Sequence, residues 1–146
     1  MADEYKLAHL GFIQGVIDRM GSNSFNIKGW VIALIGAAFA LSMEKLNSVY
    51  LFFGAFGVLV FWMLDAFYLY QEKLYRVLYL RVATNRVAAD LSMDASICKG
   101  EVSFLGSVLS IAIWPFYLTM SAFILSWFVF GFFDFQSLFG ECVASD

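Results

Sequence analysis

Val49–Tyr70 reads VYLFFGAFGVLVFWMLDAFYLY, and the reading of this stretch decides the fold. It is long enough to cross a bilayer as a helix, and Asp65 is its only charged residue. A charge at membrane depth is costly, so such a residue normally faces a partner or a water-filled path. The preceding apolar run, Gly29–Met43, joins this one through the polar turn Glu44–Ser48. In a hairpin folding back near Leu46, Lys28 and Asp65 lie about equally far from the turn. At about 1.5 Å per residue they then share one depth near one membrane face. The spacing predicts a Lys28–Asp65 ion pair, within one chain or between subunits.

Composition supports the membrane class. Hydrophobic residues make up 62% of the 146-residue chain and charged ones 14%, well under the roughly 25% of soluble domains. One small domain is expected, covering residues 1–146. A net charge of −3 with no basic face gives no support to nucleic-acid binding. The two cysteines, Cys98 and Cys142, lack metal-ligand spacing, so no metal and no cofactor are expected. Cys142 near the C-terminus could form an intersubunit disulfide if that end is outside, but an inert thiol is favoured.

Three crossings are expected: residues 29–45, 48–70 and 114–133. Pro115 suits the first turn of a helix, which divides the C-terminal stretch into a short interfacial helix at 104–113 and the third crossing. One long kinked helix is the alternative. Lys6, Arg19 and Lys28 precede the first crossing, and Lys73, Arg76, Arg81, Arg86 and Lys99 follow the second, while only Lys45 lies in the turn. That bias places the N-terminus inside and the C-terminus, with an outside tail at 134–146, on the other face. Ala38-Phe39-Ala40 resembles a signal cleavage site, but the long, acid-containing segment before it disfavours cleavage. The fold class is therefore an all-α integral membrane protein with three transmembrane helices, N-in and C-out.

Outside the crossings, residues 3–20 read as an amphipathic helix, with Leu7, Leu10, Ile13, Ile17 and Met20 at helical spacing, Asp3 at its start and Gly21 at its end. It would lie in the interface or pack on a cytoplasmic extension of the second crossing, residues 71–90. That extension makes one helix of about 40 residues, roughly 60 Å long. Leu74, Leu78, Leu80, Val82, Val87 and Leu91 give it an apolar face, and Asp90–Gly100 reads as a polar loop.

Small residues mark packing faces. Gly29, Ala33 and Ala37, with Gly36 and Ala40 beside them, allow close approach of a helix, as do Gly54 and Gly57. They either close the hairpin or join subunits. Three crossings enclose little, so a homo-oligomer in the lipid bilayer is expected, with the aromatic-rich third helix (Phe116, Tyr117, Phe123, Trp127, Phe128) facing lipid. Trp30, Trp62, Tyr68, Tyr70 and Trp114 are candidate interface anchors.

Catalysis is not expected. His9 has no nucleophile or metal partner at a recognisable spacing and reads as a surface or interface residue. Asp65 with Lys28, Glu72 and Arg76 forms a candidate intramembrane polar cluster, either a structural lock or the lining of an ion path. Ser103, Ser107 and Ser110 share a helical face turned to water or to a pore vestibule. Gln14, Asn23 and Ser24 read as caps of the first crossing.

Two stretches carry a family resemblance: His9–Met20 followed by Asn23-Ser24-Phe25…Lys28-Gly29-Trp30, and Phe61-Trp62-Met63-Leu64-Asp65-Ala66…Arg76. Together they resemble a family of short bacterial multi-pass membrane proteins of no settled activity. The resemblance implies the bacterial inner membrane, and it stops short of the segment after Arg86. By analogy with small membrane-disrupting effectors of anti-phage systems, it suggests a pore or ion-conducting effector that depolarises the membrane. The other expectation is a non-conducting anchor or scaffold whose long helix docks a cytoplasmic protein partner or trigger.

Overall fold

The computed structural model describes residues 2–45 and 49–143, with side chains over 3–41, 49 and 52–129. Most of the described residues are helical, and none of them forms a strand. In order they form α1 (Ala2–Lys45), α2 (Val49–Ala83), a 3-10 turn (Ala95–Cys98), α3 (Phe104–Val108) and α4 (Trp114–Val143). Both α1 and α2 are long and apolar enough to cross a membrane, and Trp114–Val129 of α4 is a shorter apolar stretch. The expected tail at 134–146 is helix as far as Val143. The side chain of Cys142 lies outside the described residues.

α1 and α2 form an antiparallel hairpin. Buried positions on α1 recur four residues apart at His9, Ile13 and Ile17 and again at Ile27, Val31 and Ile35, with the half-buried Met20, Gly21 and Ser24 continuing the face between them. They face Val58, Asp65, Leu74, Leu78 and Val82 on α2. This unbroken phase explains the first correction: Gly21 does not end a helix, and the expected separate helices at 3–20 and 29–45 are one helix of 44 residues, about 66 Å. An interior glycine costs a helix about 1 kcal/mol, which the packed face on both sides of it outweighs. Leu7 is exposed, and His9 takes the buried position at that end.

α2 is shorter than expected, 35 residues or about 52 Å, and stops at Ala83 rather than near residue 90. Asn85 adopts the left-handed conformation with φ 57°. Its N–H donates to Val82 O at 3.1 Å and that of Arg86 to Arg81 O at 2.8 Å, the paired bonds of a Schellman stop. Thr84–Arg86 carries no glycine or proline, so the stop was not apparent from composition.

The chain then returns along α2. Asp94 caps the 3-10 turn through Ser96 N (2.9 Å), and Ser103 caps α3 through Gly106 N (3.3 Å). α3 spans one turn instead of 104–113, because the N–H groups of Ile113 and Trp114 both bond Ser110 O and so begin the turn into α4. The three serines are used locally: Ser103 as a cap, the buried Ser107 donating to Ser103 O (3.2 Å), and Ser110 as that double acceptor. Pro115 sits in the first turn of α4.

Two apolar clusters result. One joins Val31, Ile35, Val58, Ala66, Val108, Ile113, Tyr117 and Ile124 across α1, α2 and α4. The other joins Ile13, Ile17, Leu74, Leu78 and Val82 with Ala95 and Cys98. Along α1 the second cluster ends at Ile17 and the first begins at Val31. Ser24 and Lys28 fall in the gap between them.

Candidate functional site: a buried polar junction of three helices

Lys28 Nζ lies 2.6 Å from Asp65 Oδ2 within one chain. The Asp65 side chain is 0% exposed and that of Lys28 22%, so the carboxylate is sealed while the ammonium keeps an edge toward the outside. The hairpin register makes the pair: Gly54 and Gly57 of α2 meet Ala38 and Leu34 of α1, so residues pair at a nearly constant sum of their numbers. A Cβ at Gly54 would stand 3.2 Å from that of Ala38, and one at Gly57 would run into Leu34.

Two residues complete the junction. Ser24 Oγ donates to Asp65 Oδ1 at 2.5 Å and accepts from Lys28 Nζ at 2.9 Å, which closes a ring of three side chains. Lys28 Nζ also reaches Ser24 O at 3.5 Å. From α4, the Tyr117 hydroxyl stands 3.2 Å from Asp65 Oδ2 and 3.2 Å from Phe61 O. Its single proton serves one of these acceptors at a time, so the hydroxyl has two available states. Ser24 is thus neither a helix cap nor outside the site, and Tyr117 is buried, not lipid-facing.

Tyr117 is itself oriented. Its ring stacks on Trp62 (centroids 5.9 Å apart, planes 6° apart), and Trp62 Nε1 donates to Val108 O at 3.2 Å. Trp62 therefore points into the bundle and braces α3, a different task from anchoring at an interface. A continuous set of contacts runs from α3 through Trp62 and Tyr117 to Asp65, then to Ser24 and Lys28 on α1.

The structure does not bring Glu72 and Arg76 into this ring. They form their own i,i+4 pair at 2.7 Å, with Glu72 beside Gly21 and Arg76 largely exposed. Asp65 and Glu72 are two helical turns apart, about 10 Å along the axis. The expected cluster of four is two separate pairs.

Gly29, Ala33, Gly36, Ala37 and Ala40 are exposed, and Gly29 and Gly36 have open space where a Cβ would stand. At 100° per residue they lie on the side of α1 opposite the face packed on α2. Within the chain, the α2 glycines close the hairpin and the α1 stripe does not.

At the other end of the hairpin the 84–103 connection is clasped to the helices. Lys6 Nζ donates to Ala83 O (2.9 Å) and Asn85 Oδ1 (2.8 Å), and Tyr75 Oη to Met93 O (3.2 Å). His9, expected at a surface or interface, is fully buried with Nε2 2.9 Å from Ser92 O. The acceptor is a carbonyl, so Nε2 carries the proton, and Nδ1 has no partner among the described residues. Arg81 pairs with Glu101, whose hydrogen bond raises the guanidinium pKa further. Burial pushes the Cys98 thiol up.

No protein-family model matches the chain, and no curated protein or solved structure matches it.

Proposed function

We propose that the chain is a three-crossing protein of the bacterial inner membrane that assembles with copies of itself and, when triggered, conducts ions and depolarises the membrane, as anti-phage effectors do. The observation that carries this reading is the ring of Asp65, Lys28 and Ser24 with Tyr117 against it, buried between helices apolar enough to cross a bilayer. Charged residues at that depth are costly and commonly line ion pathways or stabilise a conformational state. Here the charges balance in a closed arrangement, and the one proton of Tyr117 has two acceptors.

In the mechanism, a trigger acts on the clasped 84–103 connection or on the N-terminal half of α1. Movement of α3 releases Trp62, which frees Tyr117 from the stack and loosens Asp65 from its third donor. Lys28, already partly exposed, swings out, and the crossings re-pack around an unsealed carboxylate. The exposed small-residue side of α1 supplies the subunit contact, where close backbone approach favours association in lipid.

The test is membrane potential in bacteria, followed with a voltage-sensitive dye, for wild type and Asp65→Asn at matched membrane levels. Depolarisation by the wild type, altered by the substitution, is the expected result. A stably inserted wild type that stays silent under every condition of expression, including phage challenge, refutes conduction.

A second reading, a non-conducting anchor that docks a cytoplasmic protein, is favoured by Tyr5, Leu7, Phe12 and Leu80. These apolar side chains stand exposed on the half of the hairpin away from the turn. It predicts capture of a partner by residues 3–24 and 71–103, with no change in ion flux.

A further inference from the structure

We propose that the oxygens around Lys28 Nζ form a binding site for an alkali-metal cation, which the lysine ammonium fills as a tethered counter-ion and a free sodium or potassium ion can take over. This deepens the reading of the junction as part of an ion path, and it rests on that reading for its role in conduction.

Lys28 Nζ sits where a small cation would. It touches Asp65 Oδ2 at 2.6 Å, Ser24 Oγ at 2.9 Å and Ser24 O at 3.5 Å. Around these oxygens, Asp65 Oδ1 accepts from Ser24 Oγ at 2.5 Å and Tyr117 Oη lies 3.2 Å from Asp65 Oδ2. Carboxylate, hydroxyl and carbonyl oxygens are the hard donors that suit alkali and alkaline-earth ions. Asp65 and Tyr117 are fully buried, so helix packing rather than a flexible surface holds two of the donor side chains in place.

Charge decides between the two classes of ion. Asp65 contributes one negative charge, and Glu72, the nearest other acid on α2, is engaged by Arg76. A monovalent ion restores the neutrality that the ammonium provides, whereas a divalent ion would leave an uncompensated charge at a depth where such a charge is costly. The geometry also gives the lysine a way out. Its side chain is 22% exposed and Asp65 is sealed, so the flexible amine can withdraw along its own stem toward polar surroundings while the carboxylate stays. Displacement leaves a vacated oxygen site next to Tyr117, whose proton can turn from Asp65 to Phe61 O and open a hydroxyl lone pair to the ion.

Lys28→Ala empties the site without touching a donor. The full-length variant, purified in detergent, is unfolded thermally in sodium chloride, potassium chloride and choline chloride at equal ionic strength. The expected result is a rise of roughly 2–4 °C in midpoint in one alkali salt over choline once the ion is several-fold above its Kd, absent from Lys28→Ala/Asp65→Asn. A folded Lys28→Ala protein indifferent to the cation overturns the proposal. If Lys28→Ala does not fold, the wild type is used: acetylation of Lys28 by an amine-reactive reagent, read by mass spectrometry, rises in sodium or potassium over choline if the ion displaces the ammonium. No cation dependence of that labelling overturns it equally. Flux separates this from the broader reading. Cation binding without conduction by the wild type removes the pore and keeps the site, whereas conduction without binding removes the site and keeps the pore.

Discussion

The junction predicts an asymmetry between its two charges. Lys28→Met leaves Asp65, fully buried, with only Ser24 and Tyr117 as donors. Breaking a buried pair this way costs about 3–5 kcal/mol, most of it from the stranded charge. Asp65→Asn strands the other partner, but Lys28 can swing its ammonium outward, and an asparagine still accepts from one of the two hydroxyls while its amide N–H can donate to the oxygen of the other. Its cost reduces to weakened hydrogen bonds, about 1–2 kcal/mol. At this chain length 1 kcal/mol shifts the unfolding midpoint by about 2–4 °C. Lys28→Met therefore lowers the midpoint by about 6–20 °C and Asp65→Asn by about 2–8 °C. In the double variant no charge remains to be stranded, so its midpoint lies near that of Asp65→Asn alone. Circular dichroism at 222 nm on detergent-solubilised protein, carried through the double-mutant cycle, measures the coupling. Additivity within about 0.5 kcal/mol, the behaviour of sites that do not interact, would refute the paired burial of the two charges.

Other perturbations follow from the same contacts. Tyr117→Phe removes one donor at 3.2 Å from Asp65 and is expected to lower the midpoint by about 2–4 °C, roughly 1 kcal/mol; no change would mean that the hydroxyl stabilises neither acceptor. Gly57→Ala drives a methyl into Leu34 and should destabilise by about 1–3 kcal/mol, whereas Gly36→Ala enters open space and should leave the monomer fold intact. Their thermal midpoints, measured side by side, test which glycines hold the hairpin. Cys98 is buried and its thiol pKa is pushed up by burial, so it holds little thiolate at neutral pH. Maleimide should label Cys98 slowly in the folded protein and at the free-thiol rate in denaturant, and fast labelling without denaturant would mean that the 84–103 connection opens readily.

What the sequence disclosed about this chain follows from which forces act over short range. Two long apolar helices, the hairpin between them and the start of α4 at Trp114–Pro115 rest on composition, a polar turn and the fixed φ of proline, all local signals. The facing of Lys28 and Asp65 was legible because a helix rises uniformly, so counting from a turn converts residue number into depth. Helix ends were harder. The stop at Ala83 depends on Asn85 alone adopting a left-handed conformation, and the run through Gly21 depends on a buried face that stays in phase on both sides of it. Glycine composition points the wrong way at both places.

The residues missed at the junction share one cause. Ser24 stands one helical turn before Lys28, and Tyr117 is one hydroxyl among several in a phenylalanine-rich helix. Neither is unusual for its position in the chain. Each becomes conspicuous only through hydrogen-bond accounting: a buried carboxylate has more lone pairs than one ammonium satisfies, so further donors must reach it from neighbouring helices. A hydroxyl one turn before the lysine, on the face that carries the pair, was available to that argument. A tyrosine on a third helix was not, because the start of α4 gives its place along that helix but not which neighbour it faces. That facing is set where Ser110 collects two N–H groups and Trp62 reaches across to Val108 O. The junction is thus coupled to the short, irregular connection before α4 as much as to the long helices. A substitution on α2 where that connection is braced, such as Trp62→Phe, should loosen Tyr117 and expose Asp65 without altering either residue of the ion pair.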